Sequence, residues 1–136
     1  MGGAMMTLAV ALGAALGSVA RYLCSLGAHH LLGAGFAWGT LAVNIAGSFL
    51  IGLCAVLVEP GGRFALGPAA RQFLLTGFCG GFTTFSIFSL ETLLFLRDGA
   101  HALAALNVTA SVLLWLVAVW LGYRLGARID RVGRER

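Results

Sequence analysis

Lysine is absent from this chain, and charge of either sign is scarce, with nine arginines and five acids in 136 residues. A soluble domain of this size could not cover its surface with 10% charged and 60% hydrophobic side chains, so composition excludes that class. Proline occurs only twice beside 20 glycines, which points to closely packed membrane helices and not to a disordered Pro/Gly tract. Cysteine occurs three times, at Cys24, Cys54 and Cys79, without paired spacing. That excludes a disulfide framework and a metal motif, and the three read as small buried hydrophobes. His29, His30 and His101 stand at span ends with no acid or nucleophile beside them, so no catalytic constellation forms and the chain is not an enzyme. The N-terminus has no basic region, and its apolar run outlasts a signal-peptide core, so it reads as a retained span.

What is present is hydrophobic length. Four segments reach the ~20 residues a helical span needs: about 4–26, 36–58, 69–96 and 101–125. Connections at 27–35, 59–68 and 97–100 leave no room for a soluble domain, and one membrane domain occupies 1–136. Pro60, Gly61, Gly62 and Pro68 mark a turn between antiparallel helices. Residues 126–136 read as a polar tail.

Arginine is distributed unevenly. Both termini and the 59–68 connection share one side, which holds Arg63, Arg71 and the five arginines from Arg124 to Arg136. Arg97 stands alone on the other. By the positive-inside rule the termini are cytoplasmic. Arginines beside a bilayer favour its anionic leaflet, so the tail reads as a topology signal and not as a nucleic-acid surface.

The third span carries Gly77-Phe78-Cys79-Gly80-Gly81-Phe82-Thr83-Thr84-Phe85-Ser86-Ile87-Phe88-Ser89-Leu90-Glu91. Paired glycines and paired threonines weaken a helix near mid-membrane. Broken backbone at that depth survives only where protein, water or an ion satisfies it. Polar positions recur elsewhere. Ala9, Gly13 and Gly17 form a small-residue stripe on the first span, permitting close helix approach and leading to Arg21. Arg21 either faces the interior or snorkels to the interface. Thr40, Asn44 and Ser48 share one face of the second span, and Asn107 and Ser111 one face of the fourth. Asn44 needs partners that hydrocarbon lacks, so it points at another helix or a polar path. Phe85 and Phe88 share a face among hydroxyls, where the electropositive edges of their rings could meet an anion.

Gly39-Thr40-Leu41-Ala42-Val43-Asn44, the 77–91 run, Asn107-Val108-Thr109-Ala110-Ser111 and the 13–22 pattern together resemble the Fluc (CrcB) fluoride channels. The resemblance covers about Leu8 to Gly126. It implies an all-α membrane protein of four transmembrane helices with a broken third helix, assembled as an antiparallel, dual-topology dimer in the cell inner membrane. Phe85 and Phe88 would line fluoride paths at the subunit interface, with Asn44 nearby. Thr84, Ser86 and Ser111 would supply hydroxyls and Glu91 the acidic position, with Arg21 adding positive potential. The carbonyls of Gly80 and Thr83 would hold a structural sodium ion. Asn107 stands where many relatives carry tyrosine. The arginine bias sits awkwardly with dual topology, leaving a homodimer or a heterodimer with an inverted paralogue.

Two other classes fit the outline. A small multidrug-type proton antiporter needs a deep carboxylate, and Glu91 alone is available, late in its span. A non-transporting assembly subunit would explain the small-residue stripe but leaves Asn44 and the helix break without purpose.

Overall fold

In lipid the backbone has to satisfy itself, and this chain does so as helix. The computed structural model describes residues 2–134. It contains α1 (Gly2–Leu32), α2 (Trp38–Leu57), a composite third span and α6 (His101–Arg134). The third span joins α3 (Pro68–Gln72), a π-helical stretch (Phe73–Cys79), α4 (Gly80–Phe82) and α5 (Phe85–Arg97). Among the described residues four helical segments are long and apolar enough to cross a bilayer. The chain is an all-α, multi-pass membrane protein.

The second and third spans start and end close to where hydropathy places them. The first and fourth run longer. α1 continues through His29 and His30 and ends at Gly33, whose φ of 77° suits glycine and whose N–H bonds the His29 carbonyl at 2.9 Å. Both histidines thus stand in the last turn of a helix, where a partial negative charge gathers. α6 continues past Leu125 as helix to Arg134, so residues 126–134 are not an irregular tail. That extension is tied to the connection after α2, because the Arg63 N–H donates to Asp130 Oδ1 at 2.8 Å. Arg71 and Glu59 pair across the same connection. Glu135 and Arg136, counted with the tail in the sequence, lie outside the described residues.

Packing follows the small residues. α1 lies against the π-helical stretch and α4, and α2 lies against α6. Gly13 and Gly17 are buried at the first contact, as their spacing leads one to expect. A Cβ on Gly17 would stand 2.2 Å from the Phe78 carbonyl oxygen, so the two backbones touch there. The α2–α6 contact is built in the same way: a Cβ on Gly122 would stand 2.1 Å from the Phe49 carbonyl oxygen.

One expectation about the core needs correction. Cys79 is buried and Cys54 half-buried, but Cys24 is exposed on α1. An apolar thiol loses nothing by facing lipid, so a membrane helix does not have to turn it inward.

Candidate functional site

The third span breaks at its threonines. Thr83 (φ −87°, ψ 162°) and Thr84 (φ −152°, ψ 123°) are extended. The adjacent glycines, expected to weaken the helix, stay within it, and Gly80 holds φ −65°, ψ −39°. Two β-branched residues favour extended backbone, and a side chain from another helix secures it. Asn44 Nδ2 donates to the Thr84 carbonyl at 2.8 Å, and its Oδ1 accepts the Thr84 N–H at 2.7 Å. Asn44 is 4% exposed, so both bonds form away from water.

The chain then restarts as helix. Thr84 Oγ1 accepts the Ile87 N–H at 3.3 Å, which caps α5. It also lies 3.3 Å from Ser86 Oγ. On the other side of the break, Thr83 Oγ1 donates back to the Cys79 carbonyl at 3.0 Å.

These bonds leave two carbonyls without their usual donors. In an unbroken helix the Gly80 carbonyl would take the Thr84 N–H, which here goes to Asn44. The Thr83 carbonyl would take the Ile87 N–H, which here goes to Thr84 Oγ1. The Gly81 carbonyl between them is differently served, accepting Arg21 Nε at 3.2 Å and Ser18 Oγ at 3.4 Å. Of the two readings of Arg21, the guanidinium therefore takes the inward one.

Around the break the named residues gather unevenly. Asn44, Ser48, Gly80, Thr83, Thr84 and Phe85 line a cleft of about 270 Å³, with Trp115 of α6 on its far side. The Phe85 and Phe88 ring centroids are 5.5 Å apart. Phe85 is 72% exposed and Phe88 only 7%, so one ring looks outward while the other is packed. Phe88 meets Trp115 at 5.0 Å and 71°, an edge-on contact. Deeper along α5, Thr40 Oγ1 donates to Glu91 Oε1 at 2.8 Å. Asn107 Nδ2 donates to Thr92 Oγ1 at 2.9 Å. Ser111 is 1% exposed, one turn from Asn107. Arg21 does not join this group and supports the α1 side of the break.

The polar face read on the second span thus bonds the third span at two levels, through Thr40 and Asn44, and Ser48 lines the cleft beside them. Ser18, Thr92 and Trp115 were not singled out from sequence. Trp115 had a signal, since it continues the four-residue step of Asn107 and Ser111 along α6.

Comparison with known proteins places the chain in a family. Residues 8–123 match the family described as "CrcB-like protein, Camphor Resistance (CrcB)". The "Fluoride-specific ion channel FluC 1" of Rhodopseudomonas palustris (strain BisB18) is 51% identical over 124 residues, covering 90% of this chain and 87% of the relative. The "Fluoride-specific ion channel FluC" of Opitutus terrae is 56% identical over 115 residues, covering 84% of this chain and 86% of the relative. The "Fluoride-specific ion channel FluC 1" of Bradyrhizobium diazoefficiens is 44% identical over 132 residues, covering 97% and 92%. With matches this long on both sides, the chain belongs to the CrcB family.

Proposed function

We propose that this chain is a fluoride-selective ion channel of the cell inner membrane, releasing cytoplasmic fluoride passively and so protecting against its toxicity. Kinship to proteins named as fluoride-specific ion channels, over nearly the whole chain, carries the reading. Nothing favours an antiporter, an assembly subunit or an enzyme.

The chemistry at the break suits a small, strongly hydrated anion. Hydroxyls, amides and ring edges have to replace its water, and a fixed positive charge would hold it too long. Thr84 and Ser86 offer O–H groups beside Phe85, Ser111 offers one a turn from Trp115, and one oxygen of the Glu91 carboxyl is taken by Thr40. Outside acid drives neutral hydrogen fluoride through lipid, and the cytoplasm traps the anion. A passive path is then enough. Membrane potential contributes ~2.3 kcal/mol per charge per 100 mV. At about 1.4 kcal/mol per tenfold, that holds internal fluoride on the order of fifty-fold below an even distribution.

A second copy of the chain, packed antiparallel, completes the path in this reading. Exposed Ser86 and Ser89 would otherwise place hydroxyls, and Phe85 its ring edge, against lipid. A homodimer fits because the polar residues are complete in one chain, and an inverted paralogue is the other partner the arginine bias allows. A structural sodium ion fits the break on donor chemistry. The carbonyls of Gly80 and Thr83 have lost their helical donors, and hard cations prefer oxygen. Those two residues from each copy would hold it at the dimer centre, where it would neutralise carbonyl dipoles and fix the break.

The test is fluoride efflux from liposomes reconstituted with the purified chain, followed with a fluoride electrode and compared with chloride. Rapid fluoride release with chloride retained is expected. Release of neither ion, from protein that elutes as a folded dimer, would remove the reading.

A further inference from the structure

Trp115 carries a polar atom that nothing in the described chain engages. Its indole Nε1 is shielded from solvent and has no hydrogen-bond partner among the described residues. The same holds for Ser111 Oγ, one turn earlier on the same face of α6. Ser111 is 1% exposed, so its hydroxyl has no route to bulk water. Glu91 Oε2 is unpartnered too, so the carboxylate does not serve as acceptor for either donor.

The two groups differ in what they can accept. A hydroxyl donates or accepts, but an indole N–H only donates. A dry donor of that kind asks for an acceptor or an anion, and leaving it bare is costly. It is not at a random place. Trp115 borders the cleft that Asn44, Thr83, Thr84 and Phe85 line, and its ring meets Phe88 edge-on at 5.0 Å. Bulk alone would be served by phenylalanine or leucine, neither of which leaves an orphan donor at the border of the cleft.

We propose that the Trp115 indole N–H is a fluoride-coordinating donor, acting with Ser111 Oγ beside the Phe88 ring. The inference rests on the fluoride reading above. It extends the line of donors from the break at Thr84 towards Asn107, so the ion passes from one orphan donor to the next as it loses contact with the last.

Trp115→Phe keeps an aromatic ring and removes the N–H. Fluoride flux through the folded variant in liposomes should fall by about tenfold, the loss of one hydrogen bond to a charged group. In wild-type dimer labelled with ¹⁵N, the Trp115 indole resonance, assigned by its absence from the variant, should move saturably with sodium fluoride and not with sodium chloride. Wild-type flux in the variant, or a Trp115 resonance indifferent to fluoride while the wild-type protein conducts it, would overturn the inference. If the variant does not fold, the wild-type titration decides, with the resonance assigned by conservative change at Trp38 and Trp120. A wild-type protein that passes no fluoride would instead bring down the proposed function, and this inference with it.

Discussion

Asn44 and Thr84 are joined twice, the amide of one reading both the N–H and the carbonyl of the other, at 2.7 and 2.8 Å. This is the pattern one strand uses on its neighbour, supplied here by a single side chain. It answers the question any helix break at membrane depth raises, namely where the freed backbone groups go. It also creates a consequence one turn earlier, because the Thr84 N–H given to Asn44 is withheld from Gly80. The break and its open carbonyl have one cause.

Replacing Asn44 by leucine should therefore do more than empty a polar position. Thr84 would either strand two backbone groups, at about 1–3 kcal/mol each, or return its N–H to Gly80 and close the helix. Asn44→Leu is expected to lower the melting temperature of the detergent-solubilised dimer and to stop fluoride efflux. Asn44→Asp keeps the acceptor but turns an oxygen towards the Thr84 carbonyl, so it should destabilise as well. Asn44→Leu melting with the wild-type protein would show that the clamp does not hold the break.

Much of this was legible in the sequence, for a physical reason. Lipid leaves polar residues few excuses, so Asn44 announced a partner before any partner was known, while Arg21 stood open between the interior and the interface. The second-span face at Thr40, Asn44 and Ser48 and the contact at Gly13 and Gly17 follow from helical spacing alone. The location of the break followed only in part, since paired glycines and paired threonines were both read as weak and only the threonines leave the helix. Gly80 and Gly81 stay helical because α1 packs on Gly81 and Asn44 pulls Thr84 away. The π-helical stretch and the helical course of α6 beyond Leu125 were hidden. Both depend on tertiary contacts, with α1 and with the Arg63 connection, that periodicity does not encode.

The two phenylalanines should separate under substitution. Isoleucine keeps apolar bulk and removes the electropositive edge. Phe85→Ile and Phe88→Ile are each expected to reduce fluoride flux greatly. Only Phe88→Ile, at a 7% exposed position packed on Trp115, should also cost the isolated subunit stability, since Phe85 is 72% exposed there. Efflux measured beside size-exclusion profiles checks both. Wild-type flux in two folded variants would leave the rings as packing.

Sodium should hold the assembly together without itself being transported. A cation held by Gly80 and Thr83 carbonyls stabilises the state that binds it. Exchanging sodium for a bulky organic cation is expected to lower the dimer's melting temperature and its flux, both restored by adding sodium back. Asn44→Leu, if it folds with a closed helix, should lose that sodium dependence. A melting temperature and flux indifferent to sodium in the wild-type protein would remove the ion from the scheme.

The contact between α1 and the third span has little tolerance. Alanine at Gly17 would place its Cβ 2.2 Å from the Phe78 carbonyl oxygen, so the helices have to part. Parting them also takes Ser18 and Arg21 from the Gly81 carbonyl. Overpacking of this kind costs about 1–3 kcal/mol, and the lost bonds add to it. Gly17→Ala should yield little folded dimer. Gly27→Ala, on the same helix with nothing within 4 Å of the added Cβ, should be neutral or slightly stabilising. Equal dimer yields from the two variants would show that α1 is free to shift.

Orientation is where charge and assembly pull apart. Arg63, Arg71 and the arginines at 124, 128, 131, 134 and 136 share one side, against Arg97 on the other. Counted by the positive-inside rule, nearly every copy should insert with its termini in the cytoplasm. An antiparallel dimer needs copies, or a paralogue, the other way round. Two of the charges are partly engaged by the protein itself: Arg63 bonds the Ile129 carbonyl at 3.4 Å, and Arg71 pairs with Glu59. That engagement weakens the bias without abolishing it, because acids weigh little in the rule. Single cysteines placed at Ala100 and at Arg136, in a background with Cys24, Cys54 and Cys79 replaced, report the outcome in cells through an impermeant thiol reagent. The homodimer predicts labelling from both sides at each position, and fluoride flux from the purified chain alone. One-sided labelling with no flux from the purified chain would replace it with a heterodimer, whose partner should carry the opposite arginine bias and restore flux when the two are reconstituted together.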